Sequence, residues 1–206
     1  MPLQRAVKVP VVLGVMSQCP DAILCESVFD DVVEQVGGKI DLSLTFIGTI
    51  NTSDSEFGVT CKHGPGECAG NVHELCASKY ESFDKWWPFV QCQNKLPRLD
   101  IGTPAATLQC AAESDIAWDE GPAGACAGPD GSASGEEGVQ LLKESVKVTA
   151  SLGITKSCTI VINNKQVCIR DSDWYSCPGG HEPEDFVRQI ETEFAKLNGG
   201  SSEWDA

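Results

Sequence analysis

Eleven cysteines spread along 206 residues constrain this chain more than any other feature. In a reducing cytosol so many thiols are a liability unless they hold metal. The pattern therefore points to a chain stapled by disulfides, in an oxidising lumen or outside the cell. Asn51-Thr52-Ser53 is an N-glycosylation sequon with Asn51 as the acceptor, and it fits such a compartment. The first residues, Met1-Pro2-Leu3-Gln4-Arg5, lack the apolar stretch of a signal peptide, so either a leader has been removed, as the lumenal reading expects, or the protein is cytosolic. An odd count also leaves at least one sulfur without an intramolecular partner.

The charge narrows the partners. Thirty Asp and Glu stand against fifteen Lys and Arg, a formal net of −15, and such a surface repels phosphate backbones. Nucleic acid is not an expected partner. The longest apolar run, Val9 to Met16, is broken by Pro10 and Gly14 and falls short of the ~18–20 residues that span a bilayer. With 41% hydrophobic residues the composition is that of an ordinary globular protein. A monomer is the expected state.

Val7 to Val15 is rich in β-branched residues and reads as a buried strand. A helix start follows: Cys19 as cap, Pro20 at the first helical position, Asp21 as a first-turn acid. Apolar residues at three- and four-residue steps run from Ile23 to Val36, where Gly37-Gly38 ends the helix. Ile40 to Phe46 then alternates as a strand, completing a βαβ unit. The middle, 51–150, forms a cysteine-rich helical insertion with helical patterns near 66–80, 82–92, 104–113 and 136–152. The Gly/Ala/Ser-rich stretch from Gly121 to Gly135 reads as a loop. Thr159–Ile162 and Val167–Ile169 flank an Asn163-Asn164 turn and form a hairpin. A last amphipathic helix runs from Pro183 to Leu197, and the acidic tail 201–206 is expected to fray. The order β-α-β, helical insertion, β-β-α describes an α/β thioredoxin-like fold, one domain over 1–206.

In that architecture the chemistry sits where the first strand meets the first helix. The helix N-terminus presents unpaired N–H groups and partial positive charge to Cys19, which favours the nucleophilic thiolate. Ala22 stands where a Cys-x-x-Cys pair would have its second cysteine. Cys25 lies about 9 Å up the helix axis from Cys19, beyond disulfide reach, and beside the apolar stripe, which suits a core-facing or bridged cysteine. Three Cys and two His between Cys61 and Cys76 raise the question of zinc, but the spacing matches no common finger or ribbon. No metal is expected.

The same segment, Cys61-Lys62-His63-Gly64-Pro65-Gly66-Glu67-Cys68-Ala69-Gly70-Asn71-Val72-His73-Glu74-Leu75-Cys76, resembles the signature of the gamma-interferon-inducible lysosomal thiol reductase family. That signature is C-Q-H-G-x-x-E-C-x-x-N-x-x-E-x-C, and only its second position departs, with Lys62 in place of Gln. Cys19-Pro20 sits where the family places its active-site cysteine. Lys156 to Lys165 resembles the segment leading into the family's third strand, and Cys168 and Cys177 look like its C-terminal pair. Cys-Pro-Asp-Ala in place of Cys-x-x-Cys is similar to the fungal-type branch.

The resemblance implies a thioredoxin-like fold with a helical insertion, and reduction of protein disulfides in an acidic lysosomal or vacuolar lumen or after secretion. Cys19 would attack a substrate disulfide and form a mixed disulfide. Cys158, Cys25 or an external thiol would resolve it. Cys158 occupies the position where thioredoxin-like proteins carry a cis-proline, and it is expected near Cys19 as its redox partner. No bound cofactor is implied, and electrons would come from a small thiol such as glutathione or cysteine. Pro20, Asp21, Ala22 and His63 are candidates for tuning the thiolate or binding substrate, with a structural hydrogen bond in its tight Gly-Pro-Gly loop the favoured reading of His63. Cys168 and Cys177 are expected to pair. Cys61, Cys68, Cys76, Cys92, Cys110 and Cys126 are expected to bridge within the insertion, in a connectivity the sequence leaves open. Trp86-Trp87 is either part of a peptide-binding surface or core. Two other functions stay open: a binding or scaffold protein that kept the fold without the chemistry, and a glutathione-dependent transferase acting on a small electrophile.

Overall fold

The structure, a computed structural model, describes residues 6–199. Met1 to Arg5 and the acidic tail 201–206 lie outside the described residues. Strand β1 (Val9–Val15) is joined through helix α1 (Pro20–Val36) to β2 (Ile40–Phe46), and the two strands pair in parallel with Val9 opposite Ile40 and Val15 opposite Phe46. After the insertion, β5 (Thr159–Ile162) lies antiparallel on the other side of β1, followed by β6 (Lys165–Asp171) and the short β7 (Asp173–Tyr175). The sheet order is β2-β1-β5-β6-β7. Asn163 and Asn164 both take positive φ (48° and 62°) in the two-residue turn between β5 and β6, the conformation asparagine tolerates and a tight hairpin requires.

Alternate residues of β1, Val9, Val11, Leu13 and Val15, have no exposed surface, as expected of a central strand. Helix α1 packs against the C-terminal helix α7 (Pro183–Leu197) through Phe29 and Phe186, whose ring centroids are 5.2 Å apart. Between β2 and β5 the chain forms a small hairpin, β3 (Thr49–Ile50) with β4 (Val59–Thr60), and then helices α2 (Pro65–Tyr80), α3 (Phe83–Lys95), α4 (Pro104–Glu113), α5 (Pro122–Ala127) and α6 (Glu136–Ser151). No helix of the described residues is long and apolar enough to cross a membrane.

Three details differ from the sequence expectation. The first strand begins at Val9, the β3–β4 and β7 pairings carry no strong alternation in sequence, and the stretch 121–135 contains the short helix α5. That helix depends on tertiary ties that composition does not reveal. Cys126 is bonded to Cys76 of α2, and Gly124 lies so close to the Trp118 carbonyl that a Cβ there would sit 1.6 Å from its oxygen. Two further disulfides knit the insertion, Cys92–Cys110 between α3 and α4 and Cys61–Cys68 at the head of α2, while Cys168–Cys177 closes the loop after β6.

Candidate active site

Strand β1 delivers the chain to a short loop, Met16 to Gln18, that ends on Cys19 at the N-cap of α1 with Pro20 at the first helical position. The signature segment braces this loop. Asn71 Oδ1 accepts from the Ser17 amide at 2.9 Å, the Glu67 carbonyl accepts from Ser17 Oγ at 3.0 Å, and Gln18 Nε2 donates to the Ile101 carbonyl at 2.8 Å. Glycine is what lets α2 come this close: a Cβ on Gly70 would stand 2.5 Å from Ser17 Oγ, and one on Gly66 2.9 Å from Gln18 Nε2. Glu67 and Asn71 thus hold the loop that presents Cys19, a role that spacing alone did not reveal.

Ten of the eleven cysteines are in disulfides, and Cys19 is the free one. It is 5% exposed, and its Sγ lies 3.8 Å from the Ser157 carbonyl oxygen. The expected partnership between Cys19 and Cys158 is not what the structure contains. Cys158, fully buried, is bonded instead to Cys25 of α1. The reason is the direction in which α1 buries its residues. Cys25 lies with Ala22, Phe29 and Val32 among the fully buried residues of the helix, while Cys158, held to β6 by two backbone hydrogen bonds with Arg170 (2.7 and 2.8 Å), comes down beside it. Cys19 Sγ faces instead the carbonyl of Ser157, the residue preceding Cys158. The Ser157–Cys158 peptide is cis.

A cavity of about 240 Å³ opens on Cys19. Asp21, Lys62, Lys156, Ser157 and Asp171 supply much of its polar lining, with Met16 and Ile47 on the apolar side. Asp21 pairs with Arg170 (3.3 Å to Nε) and accepts from the Ser172 amide at 3.1 Å. Asp171 pairs with Lys156 at 2.6 Å, which holds its carboxyl below the usual carboxylate range, with the more distant Lys62 adding to the effect. Ser157 is 3% exposed and its Oγ has no hydrogen-bond partner among the described residues. Lys62, Lys156, Ser157 and Arg170 were not singled out from sequence as parts of a site. The departure of Lys62 from the family signature was the one available signal.

Other candidates fall elsewhere. The Nδ1 of His63 hydrogen-bonds the Glu67 carboxylate, whose Oε1 also accepts from the His63 amide at 3.2 Å, so the residue braces the start of α2 and is not among those lining the cavity. Ala22 is fully buried. Trp86 and Trp87 are 5% and 3% exposed, and Trp87 Nε1 donates to Asp30 at 2.8 Å; the pair is core. Asn51 Nδ2 donates to Thr60 Oγ1 at 3.0 Å in the β3–β4 hairpin. Among the described residues no cluster of three or more His, Cys, Asp or Glu is arranged to hold a metal ion.

Helices α1, α2 and α3 enclose acids whose burial the sequence did not reveal. Glu26 follows Cys25 and is 1% exposed; burial pushes its carboxyl up from 4.5 to about 7, against the bond that Asn94 Nδ2 donates at 2.7 Å. Glu74 is equally buried with both oxygens unpaired, and burial, then Glu26 and Glu67, drive its carboxyl well above the usual range. His73, with no exposed surface, is pushed down to about 4 by burial, with Thr107 Oγ1 2.9 Å from its Nδ1.

Among solved structures the chain resembles BdbD from Bacillus subtilis, with a TM-score of 0.63 at 17% identity, covering 90% of this chain and 87% of that one. It also resembles MdbA, a thiol-disulfide oxidoreductase from Corynebacterium diphtheriae (0.61, 12%, 90% and 84%), and a thioredoxin-like oxidoreductase from Silicibacter pomeroyi (0.56, 15%, 91% and 87%). At these identities the likeness establishes the fold, which is thioredoxin-like. By sequence it is 27% identical over 125 residues to GILT-like protein 1 of Drosophila melanogaster, a match to 54% of this chain that spans only 50% of that relative. The sequence profile of the gamma interferon inducible lysosomal thiol reductase (GILT) family matches residues 10–114, the stretch that holds Cys19 and the whole signature. The chain belongs to the gamma interferon inducible lysosomal thiol reductase family.

Proposed function

We propose that the protein is a thiol–disulfide oxidoreductase that reduces disulfides through Cys19. The observation that carries this reading is that ten sulfurs are spent in disulfides, and the eleventh stands at a helix N-terminus on the wall of a cavity lined by both charged and apolar side chains. Cys19 Sγ gives up its proton to solvent, and the thiolate attacks one sulfur of a substrate disulfide. A Cys19–substrate disulfide forms and the other substrate sulfur leaves as a thiolate.

Ala22 offers no second thiol, and Cys25 and Cys158 are bonded to each other. Resolution therefore falls to an external small thiol. Its thiolate attacks the mixed disulfide and releases the substrate, and a second equivalent then frees Cys19. The balance is one substrate disulfide plus two small thiols giving one substrate dithiol plus one small-molecule disulfide. Cys158 or Cys25 serves as resolver only in a form whose mutual bond has been opened. No bound cofactor enters this scheme. The reading puts the protein at work in an oxidising secretory, lysosomal or vacuolar lumen, and the five disulfides support the oxidising part of it.

The test is reduction of insulin fuelled by a low concentration of cysteine or glutathione, at pH ~5 and pH ~7. Wild type is expected to exceed the small thiol alone, and Cys19→Ser to fall to that background. Equal rates with and without protein at both pH values would overturn the reading in favour of a scaffold.

A further inference from the structure

The charges around Cys19 do not cancel. Both carboxylates on the cavity wall are already neutralised, Asp171 by Lys156 at 2.6 Å and Asp21 by Arg170 at 3.3 Å. Lys62 also lines the cavity, is exposed, and has no ion-pair partner among the described residues. A chain with a formal net charge of −15 therefore keeps an uncompensated cation beside its one free thiol. A second, independent feature is Ser157, which also lines the cavity: it is buried, and its Oγ, a donor or acceptor, has no bond among the described residues. Buried polar groups are rarely left so unless something else supplies the bond. The volume, about 240 Å³, falls just below the ~300–1,000 Å³ of sites that take drug-sized molecules. It admits an amino-acid-sized ligand.

We propose that this cavity selects small thiols and disulfides that carry a carboxylate, with Lys62 as the specificity-determining residue and Ser157 Oγ as a hydrogen-bond partner for the ligand's polar groups. The inference rests on the reading of Cys19 as the reacting sulfur and names the class of its small-molecule partner, a cysteine-sized thiol or its disulfide. Bound with its carboxylate toward Lys62, such a thiol directs its sulfur at a Cys19 mixed disulfide. Its thiolate forms a new S–S bond and the substrate sulfur leaves with the electron pair. Neutral thiols of the same size lack the anchor. Cationic ones meet Lys62 as a like charge, although the protein's overall field attracts them.

Because every other cysteine is bonded, thiol-specific reagents report on Cys19 alone. The experiment compares methanethiosulfonates bearing a sulfonate, a neutral group or a trimethylammonium, each rate divided by that of the same reagent with a free small thiol. The sulfonate-to-neutral ratio cancels the fraction of Cys19 present as thiolate. At low salt this ratio is expected to exceed one in the wild type and to fall roughly three- to tenfold in Lys62→Gln, the effect of one unit charge at about 6 Å in a largely aqueous setting. Added salt should erode the wild-type preference. Lys8→Gln changes the net charge equally at the far end of β1, and there the ratio should hold.

A wild-type ratio below one, or a ratio indifferent to Lys62→Gln, would overturn the proposal while leaving reduction through Cys19 standing. No modification by any reagent would overturn both.

Discussion

Replacing Glu26 with glutamine removes a buried acid while keeping its shape and the bond from Asn94, and its effect is a slope against pH. Burial raises the Glu26 carboxyl from 4.5 to about 7, so between those values the folded protein holds a proton that the unfolded chain has released. Stability from this group is therefore fully present below pH 4.5, declines as pH rises, and is gone above about 7. The difference of about 2.5 pH units corresponds to about 3 kcal/mol. The wild-type profile alone does not reveal this, because His73 acts oppositely. Buried neutral and pushed down to about 4, it removes stability as pH falls through its unfolded value of 6.5 toward 4. The difference between Glu26→Gln and wild type isolates the acid.

Any fixed penalty for the buried amide shifts that difference curve without tilting it. Urea unfolding with the disulfides intact, at pH 4.5, 6, 7 and 8, should show Glu26→Gln gaining on wild type by about 3 kcal/mol from the lowest pH to the highest, on the order of 6–12 °C in Tm for a chain of this size. Glu74 loses a charged neighbour in the same variant, which pushes the curve in the same direction. A flat difference, or one that grows as pH falls, would refute the assignment of Glu26 as a neutral buried acid.

His73→Asn should lack the loss between pH 6.5 and 4 and so gain on wild type as pH falls, in the same urea series. Opening Cys76–Cys126 by a double Cys→Ser change frees a 50-residue loop and should cost about 4 kcal/mol, against about 2 kcal/mol for the 7-residue loop of Cys61–Cys68, measured by denaturant unfolding. Equal costs would contradict the loop-entropy account. Gly124→Ala places a Cβ 1.6 Å from the Trp118 carbonyl oxygen and should lower stability by about 1–3 kcal/mol or more, since backbone must move to admit it; an unchanged urea midpoint would show that α5 is not seated there.

What the sequence made legible was whatever local chemistry writes into adjacent residues. The Cys19-Pro20 helix start, the alternation of Ile40 to Phe46 and the Asn163-Asn164 turn each announce their element within a few positions. The thiol at the head of α1 follows from those. Disulfide partners are set by how elements pack, so spacing left them open. Cys25 read as core-facing because it continues the stripe of Phe29 and Val32, yet its bond to Cys158 depends on β6 holding Cys158 in place across the sheet. The cavity is a product of the same kind of convergence. Lys62 from the loop after β4, and Lys156 and Ser157 from the approach to β5, meet around Cys19 only in three dimensions. The burial of Glu26 and Glu74 was invisible for a related reason, since a glutamate on a helix reads as solvated until its neighbours close over it.

The most direct test of the account is to mix the protein with a disulfide substrate without added thiol, quench with acid, and map the peptides unreduced. The account predicts substrate sulfur on Cys19, with Cys25–Cys158 and the other four bridges intact. A Cys19–Cys158 or Cys19–Cys25 bond, an adduct on another cysteine, or a Cys19 left unmodified would contradict it.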